Sequence, residues 1–409
     1  MPTAIAAANI FFTTFVFITG YKVGSKNLAN IGKSFVLAGI YIHIPFCRQK
    51  CRYCDFYSVA SDSLKAPVMS ALHRELELRR DELHEPVRTL YFGGGTPTVY
   101  APEELQGLID RVKLLYRIDT LDEVTVEANP DDLDDLYLDH LGSTDVDRLS
   151  IGVQSFHDAH LQLFNRRHTG RQAYDAVERA KKHGFANITV DLIYGIPGMT
   201  GAEWEDNLQK FIELDVPHLS AYHLTIEPRT VFGKWVEQEK IVAVPDETSH
   251  LHYEVLERLT REAGYAHYEI SNFARPGLES RHNSSYWDGT PYIGIGPAAH
   301  SFDGCTRRWN TANNKTYLEL LESGRYYETE QLSERDRFNE ALMTGLRTAK
   351  GISWEDIGRK FGDENLIYLR ESGRKYLESG LLVDHGQSLR IPSVYFLLSD
   401  SVIADLFLA

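Results

Sequence analysis

Three cysteines, Cys47, Cys51 and Cys54, stand in a C-x3-C-x2-C spacing within "YIHIPFCRQKCRYCDFYS" at residues 41–58. Thiolates gathered on one loop are ligands for a soft metal centre. A mononuclear structural zinc site wants four tetrahedral ligands, so these three would need a distant fourth from Cys305 or a histidine. A cubane iron–sulfur cluster accepts three thiolates and leaves one iron open to an exogenous molecule. A chance grouping of buried cysteines is the remaining alternative.

Composition narrows the setting. The chain has 409 residues, enough for two or three domains, and only four cysteines, three of them clustered. That is not a secreted disulfide framework, and a reducing cytoplasm fits it. Acidic residues outnumber basic ones by 58 to 43, for a formal charge of -15. Without long Lys/Arg runs, a nucleic acid or an anionic membrane is not an expected partner.

The elements that must position the cysteines alternate from Gly39 onward. Strand-like runs "GIYIHIP", "TLYFGG", "EVTVEA", "RLSIGV", "NITVDLIYG" and "HLSAYHLTI" are separated by stretches of helical period such as "APEELQGLIDRVKLLYR" and "QAYDAVERAKKHG". The unusual residues follow the strands: the cysteines, then "GGGTPT", "EANP", "QSF" and "YGIPG". Barrel enzymes build their sites from that one strand end, so a parallel α/β partial barrel of six strands and six helices is expected over 39–230. A doubly wound open sheet is the alternative.

Past that point the alternation fades into a loop-rich middle segment, 231–327. The tail, 328–409, is helical in character, and a helix–turn–helix with a two-stranded wing would suit it, packing on protein in preference to DNA. At the other end, "AIAAANIFFTTFVFITG" has its lysines after the apolar run and is too short and polar for a membrane span. Residues 1–38 are read as an extension or an over-long start, with a weak membrane or targeting element as the alternative. Stable membrane insertion is not expected.

At the cysteine loop the chain resembles the radical S-adenosylmethionine (SAM) superfamily, from residue 39 to about 225. That resemblance implies a [4Fe-4S] cluster on Cys47, Cys51 and Cys54, SAM chelated to the open iron, and an electron donor that reduces the cluster. It places Gly94, Gly95 and Thr96 at the methionyl end of SAM, with close backbone approach at the glycine triplet. Glu127, Gln154, Arg166 and Asp191 match the family's ribose, carboxylate and sulfonium contacts. Tyr41, Tyr53 and Thr225 match further SAM-facing positions, and His43 and His300 lie near the same pocket.

The runs "YFGGGTPT", "SIGVQSF" and "DLIYGIPG" are similar to the oxygen-independent coproporphyrinogen III oxidase branch, and the similarity continues to "LLSDSVIADLF" near the C-terminus. That branch holds true oxidases and haem chaperones of the HemW type. The oxidases resemble C-x3-C-x2-C-x-C, where this chain has Phe56 in place of the extra cysteine. The stretch "RHNSSYWDG" carries His282, Asn283, Tyr286 and Trp287 in the chaperones' H-N-x-x-Y-W pattern, which implies haem contacts from an imidazole and aromatic rings. The expected function is therefore delivery of haem to acceptor proteins such as respiratory cytochromes, with a homodimer compatible with it. The alternative is a porphyrinogen oxidase or another radical SAM oxidoreductase. Tyr268, Glu269, Ser271 and Asn272 resemble a family signature without a derivable role, and Cys305 is most simply a free thiol.

Overall fold

The structure, a computed structural model, describes residues 38–408. The extension expected at 1–38 thus lies outside the described residues except for Ala38, which opens the first strand.

Six parallel strands follow in chain order: β1 (Ala38–Ile44), β2 (Val87–Gly94), β3 (Glu123–Ala128), β4 (Arg148–Gln154), β5 (Asn187–Tyr194) and β6 (His218–His223). They coincide with the six runs read from sequence, the last ending three residues earlier. Helices Lys65–Leu78, Pro102–Tyr116, Asp135–Leu141, Gly170–Lys182 and Gly201–Glu213 make the crossovers. Thr169 and Thr200 start two of them with capping boxes closed by Gln172 and Glu203, each satisfying otherwise orphaned backbone donors.

Both faces of this sheet are shielded, yet their chemistry differs. One face carries Ile40, Ile42, Leu90, Phe92, Val124, Val126, Leu149, Ile151, Ile188, Val190 and Leu219, all buried in the main apolar core with Leu72, Leu108, Val177 and Trp204 of the crossover helices. Each such side chain contributes ~1.5–3 kcal/mol of burial. The other face carries Tyr41, His43, Thr89, Tyr91, Glu123, Thr125, Glu127, Arg148, Ser150, Thr189, Asp191, His218 and Ser220. Strand periodicity puts these side chains together on the inner surface, so the barrel lumen is polar.

The middle segment holds more regular structure than its composition suggested. It contributes β7 (Ala266–Glu269), β8 (Asn272–Ala274), β9 (Tyr292–Ile295), β10 (His300–Phe302) and β11 (Thr306–Asn310), and with β12 (Tyr327–Gln331), which crosses the boundary expected at residue 327, these extend the sheet on both sides to twelve strands. β9 pairs parallel with β1, and β8 antiparallel with β6. Strands of three to five residues between glycines leave too short a repeat for periodicity to reveal.

The tail forms the expected helical unit, but its small sheet has three strands where a two-stranded wing was expected, β13 (Ile352–Ser353), β14 (Val383–Asp384) and β15 (Ser388–Arg390), because Ile352 and Ser353 ahead of the helix pair with β15. Its longest helical stretch, Trp354–Ser372, breaks at Gly362, whose φ of 83° is left-handed. The unit is fastened to the sheet edge by the Glu269–Thr348 bridge and by Ile270 N, which donates to Arg347 O at 3.0 Å.

Candidate functional site

The cysteine loop leaves β1 and is clamped before it reaches the first crossover helix. Cys47 N donates to Val59 O at 3.1 Å and Arg52 N to Phe164 O at 3.0 Å. Asn165 Nδ2 donates to Lys50 O at 3.0 Å, from a residue whose φ of 64° is one that asparagine tolerates. The Tyr53 ring meets Phe164 edge-on at 4.7 Å. All three thiols are free and half-buried, and burial pushes the Cys54 thiol up to about 12 and raises that of Cys47 as well. Among the described residues no group of three or more His, Cys, Asp or Glu side chains is arranged to hold a single metal ion, and Cys305 is exposed on the turn between β10 and β11. Three recessed thiols on one loop, each able to serve a separate iron, fit the cluster in preference to mononuclear zinc.

A closed hydrogen-bond path ties two of these thiols together. Thr96 Oγ1 donates to Cys47 Sγ at 3.5 Å and accepts from Asn129 Nδ2 at 3.0 Å. Asn129 Oδ1 accepts from Arg166 Nη2 at 2.6 Å, and Arg166 Nη1 donates to Cys51 Sγ at 3.6 Å. Arg166 is further anchored on Gly152 O at 2.6 Å. Asn129 did not emerge as a site residue from sequence, although "EANP" stands at a strand end. Its type and its place directly after β3 were the available signal.

The glycine triplet works differently from a simple main-chain cradle. Gly94 N donates to Glu127 Oε2 at 3.2 Å, Gly95 N to Ile44 O at 2.8 Å and Thr96 N to Phe46 O at 2.7 Å. A Cβ on Gly95 would lie 2.4 Å from Phe46 O, and one on Gly94, at φ 104°, 2.5 Å from the His43 ring. The triplet therefore lets the β2 end lie flush against the cysteine loop, and its amides are already engaged within the protein.

Below this rim the two acidic residues share the lumen. Glu127 accepts from Tyr91 OH at 2.8 Å, and Asp191 from Ser150 Oγ at 3.1 Å. Burial raises both carboxyls, with Glu127 adding to the rise at Asp191, which reaches about 8. His43 bridges Tyr41 OH at 3.1 Å and Tyr57 O at 2.9 Å, and burial lowers its imidazole to about 4, leaving it neutral. Gln154 closes β4 with φ 66°, and half-buried Thr225 follows β6. Seven of the ten residues expected around SAM thus stand at strand ends or in the loops after them, Tyr41 and Asp191 lie within β1 and β5 on the lumen face, and Arg166 reaches the same rim from the turn after the helix Asp158–Phe164.

The H-N-x-x-Y-W residues are elsewhere. They form the helix Arg281–Trp287, whose Ser280 N-cap accepts from Asn283 N, and which lies against the N-terminal halves of β1 and β2. His282 is 0 % exposed; its Nδ1 faces Thr89 Oγ1 at 2.8 Å and its Nε2 faces Tyr286 OH at 2.8 Å. Its backbone N donates to Glu123 Oε1 at 2.9 Å. Asn283 and Trp287 are half-buried. This helix closes the floor of the lumen, at the opposite strand end from the cysteines. Tyr91 spans the gap, stacked on His282 at 5.1 Å while its hydroxyl holds Glu127.

Residues 41–211 match the Radical SAM superfamily and residues 332–393 the HemN C-terminal domain. The heme chaperone HemW of Lactococcus lactis is 36% identical over 363 residues, covering 88% of this chain and 95% of that protein. The chain belongs to the HemW family of radical SAM proteins. HemW of Bacillus subtilis is 37% identical across 79% of this chain and 86% of its own length. A zebrafish (Danio rerio) relative, radical S-adenosyl methionine domain-containing protein 1, mitochondrial, is 30% identical and covers 94% of this chain and 91% of its own. In fold, the coproporphyrinogen III oxidase HemN of Escherichia coli, a radical SAM enzyme, matches with a TM-score of 0.78 at 22% identity over 90% of each chain. Membership fixes the α/β radical SAM fold with its helical tail. Among the described residues, no helix is long and apolar enough to cross a membrane.

Proposed function

We propose that this protein is a cytoplasmic haem chaperone that carries a [4Fe-4S] cluster on Cys47, Cys51 and Cys54, binds SAM at the cluster's open iron and passes haem to acceptor proteins. The observation that carries the cofactor part is the hydrogen-bond path from Cys47 through Thr96, Asn129 and Arg166 to Cys51. It fixes two thiols in relative position and gives each a hydrogen-bond donor. The cluster, when bound, supplies reducing electrons and an iron for SAM. Two recessed acidic residues, Glu127 and Asp191, suit the positive charge of a sulfonium and an ammonium group, and Tyr41 and Tyr91 wall the same space.

The cargo part rests on kinship with chaperones named for haem and on Phe56, 48 % exposed where the oxidase branch has its extra cysteine. The H-N-x-x-Y-W helix can offer His282 to iron only when Thr89 and Tyr286 release a ring nitrogen. The test is anaerobic reconstitution followed by haem titration and a porphyrinogen assay. A Soret-absorbing complex with no conversion of coproporphyrinogen III is expected. Catalytic turnover of the porphyrinogen with no haem bound at micromolar concentration would restore the oxidase reading.

A further inference from the structure

The helix that carries His282 is held at its start by a single carboxylate. Glu123, 2 % exposed at the beginning of β3, accepts from Ser280 Oγ at 3.2 Å, from Arg281 N at 2.9 Å and from His282 N at 2.9 Å. A charged acceptor facing the first amides of a helix makes strong hydrogen bonds. Ser280 N is tied to the lumen as well, donating to Tyr268 OH at 3.4 Å, and that hydroxyl faces His218 Nε2 at 2.8 Å. His218 Nδ1 in turn faces Thr189 Oγ1 at 3.1 Å, and Thr189 Oγ1 accepts from Arg148 Nη2. The network that fixes the helix therefore ends on Arg148.

Arg148 is short of partners. Its guanidinium is 1 % exposed, its Nη1 and Nε make no hydrogen bond, and Nε stops 3.8 Å from Glu123 Oε2. A buried guanidinium with idle N–H groups is costly, and a hydrogen-bonded carboxylate is the partner it lacks. Closing 3.8 Å to hydrogen-bond length takes about 1 Å of movement, which would draw Glu123 off the helix. The helix side can give way too. Gly277 at φ 84° and Gly289 at φ 75° flank its seven residues, and a Cβ at either would meet nothing within 4 Å. Such positions can absorb a hinge rotation.

We propose that Glu123 and Arg148 form a latch on the H-N-x-x-Y-W helix. With Glu123 on the helix, His282 stays sealed between Thr89 and Tyr286. With Glu123 turned onto Arg148, the segment from Gly277 to Gly289 swings outward and the imidazole reaches iron. Glu123 is thus a positioning residue for His282, and Arg148 sets how often the floor opens. The proposal rests on the reading of the chain as a haem carrier that uses His282. It adds the step by which a fully buried imidazole becomes available.

Loading through a minor open state scales with the population of that state. Full-length, cluster-loaded protein is mixed with haem by stopped flow, following the Soret band, and amide hydrogen exchange over residues 280–288 is followed without haem. Glu123→Gln leaves the helix one neutral acceptor oxygen. It should load haem at least about tenfold faster than wild type and exchange those amides faster, with the wild-type Soret band. Arg148→Met removes the alternative partner, so it should load at least about tenfold slower and exchange more slowly, again with the wild-type band. Arg148→Lys should recover part of the rate. Residues that merely pack the floor would both speed exchange when replaced, so the opposite signs separate a latch from packing. Cluster absorbance reports folding of every variant, and should Glu123→Gln not fold, the sign of Arg148→Met decides. Two variants that move in the same direction, or that match wild type, overturn the latch alone. Wild-type protein that binds no haem, or an unaltered Soret band in His282→Ala, overturns the haem reading beneath it, and the exchange signs then still decide the latch.

Discussion

Asn129 Oδ1 accepts a 2.6 Å hydrogen bond from Arg166 Nη2, and through that contact two cysteines four residues apart in sequence are joined by a path outside their own loop. Removing the amide breaks the path at both ends, since Asn129 Nδ2 also serves Thr96. Asn129→Ala leaves Arg166 with one fewer acceptor, a loss of ~1–3 kcal/mol for a partner left unsatisfied. The expected outcome is slower cluster reconstitution and a cluster more readily lost to chelator, with the fold intact by circular dichroism. Chelator kinetics equal to wild type would show that the path is incidental to the cluster.

The ligand set itself is tested by single replacements. Cys47→Ala, Cys51→Ala or Cys54→Ala should each abolish the absorbance of the reconstituted cluster and lower bound iron. Cys305→Ala should leave both unchanged, because its thiol is exposed in the turn before β11. Iron and sulfide analysis decides, and loss of iron with Cys305→Ala would remove the three-cysteine assignment.

Asp191 gives the site a pH signature. Its folded value, about 8, exceeds the unfolded 3.8, because burial and then Glu127 disfavour the carboxylate. Below 3.8 that proton is bound in both folded and unfolded chains. Between 3.8 and about 8 the unfolded chain releases it first, so stability falls as pH rises through this window. A bound cation reverses the preference, and SAM binding should therefore release a proton. Equilibrium dialysis from pH 6 to 8.5 should show SAM affinity rising by up to about tenfold per unit, and Asp191→Asn should flatten the slope and weaken SAM. A pH-independent affinity in the wild type would separate Asp191 from the ligand.

Gly94 should prove irreplaceable for a packing reason. Gly94→Val puts a branched side chain at φ 104° and against the His43 ring, which would lie 2.5 Å from the new Cβ. Strain and overpacking of this kind cost ~1–3 kcal/mol each. Thermal melting should fall, and SAM binding should weaken because the ring of His43 holds Tyr41 and Tyr57 in place. An unshifted melting temperature would mean that the loop re-forms around the valine.

The barrel was legible because its strands are short apolar runs whose alternate residues are unusual ones: Glu127, Arg148 and Asp191 interrupt what would otherwise read as plain core strands. The cysteine loop was legible from spacing alone. Asn129 was passed over because an asparagine before proline is an ordinary turn residue until its two partners, Thr96 and Arg166, are seen 33 and 37 positions away. Likewise nothing local separates the H-N-x-x-Y-W helix from the mouth of the barrel. Its position depends on β9 returning to pair with β1, a contact across about 250 residues that periodicity does not carry.

The floor of the lumen gives the last prediction. His282 fills the space between Thr89 and Tyr286 and is the acceptor or donor for both hydroxyls. Burial lowers its imidazole to about 3, so it is neutral there and contributes hydrogen bonds and packing, not charge. In His282→Ala the two hydroxyls lose their partner and Tyr91 loses the ring it stacks on at 5.1 Å. A cavity and two orphaned hydroxyls together cost ~2–5 kcal/mol, visible as a lower melting temperature with cluster and SAM binding retained. The H-N-x-x-Y-W resemblance makes His282 the axial ligand on loading, so haem added to this variant should give an altered Soret band and bind more weakly. His282→Gln, which restores one hydrogen bond but no imidazole, should recover part of the stability and keep the altered Soret band. A His282→Ala protein that bound haem with an unaltered Soret band would move the iron's ligand elsewhere and leave His282 as a packing residue of the floor.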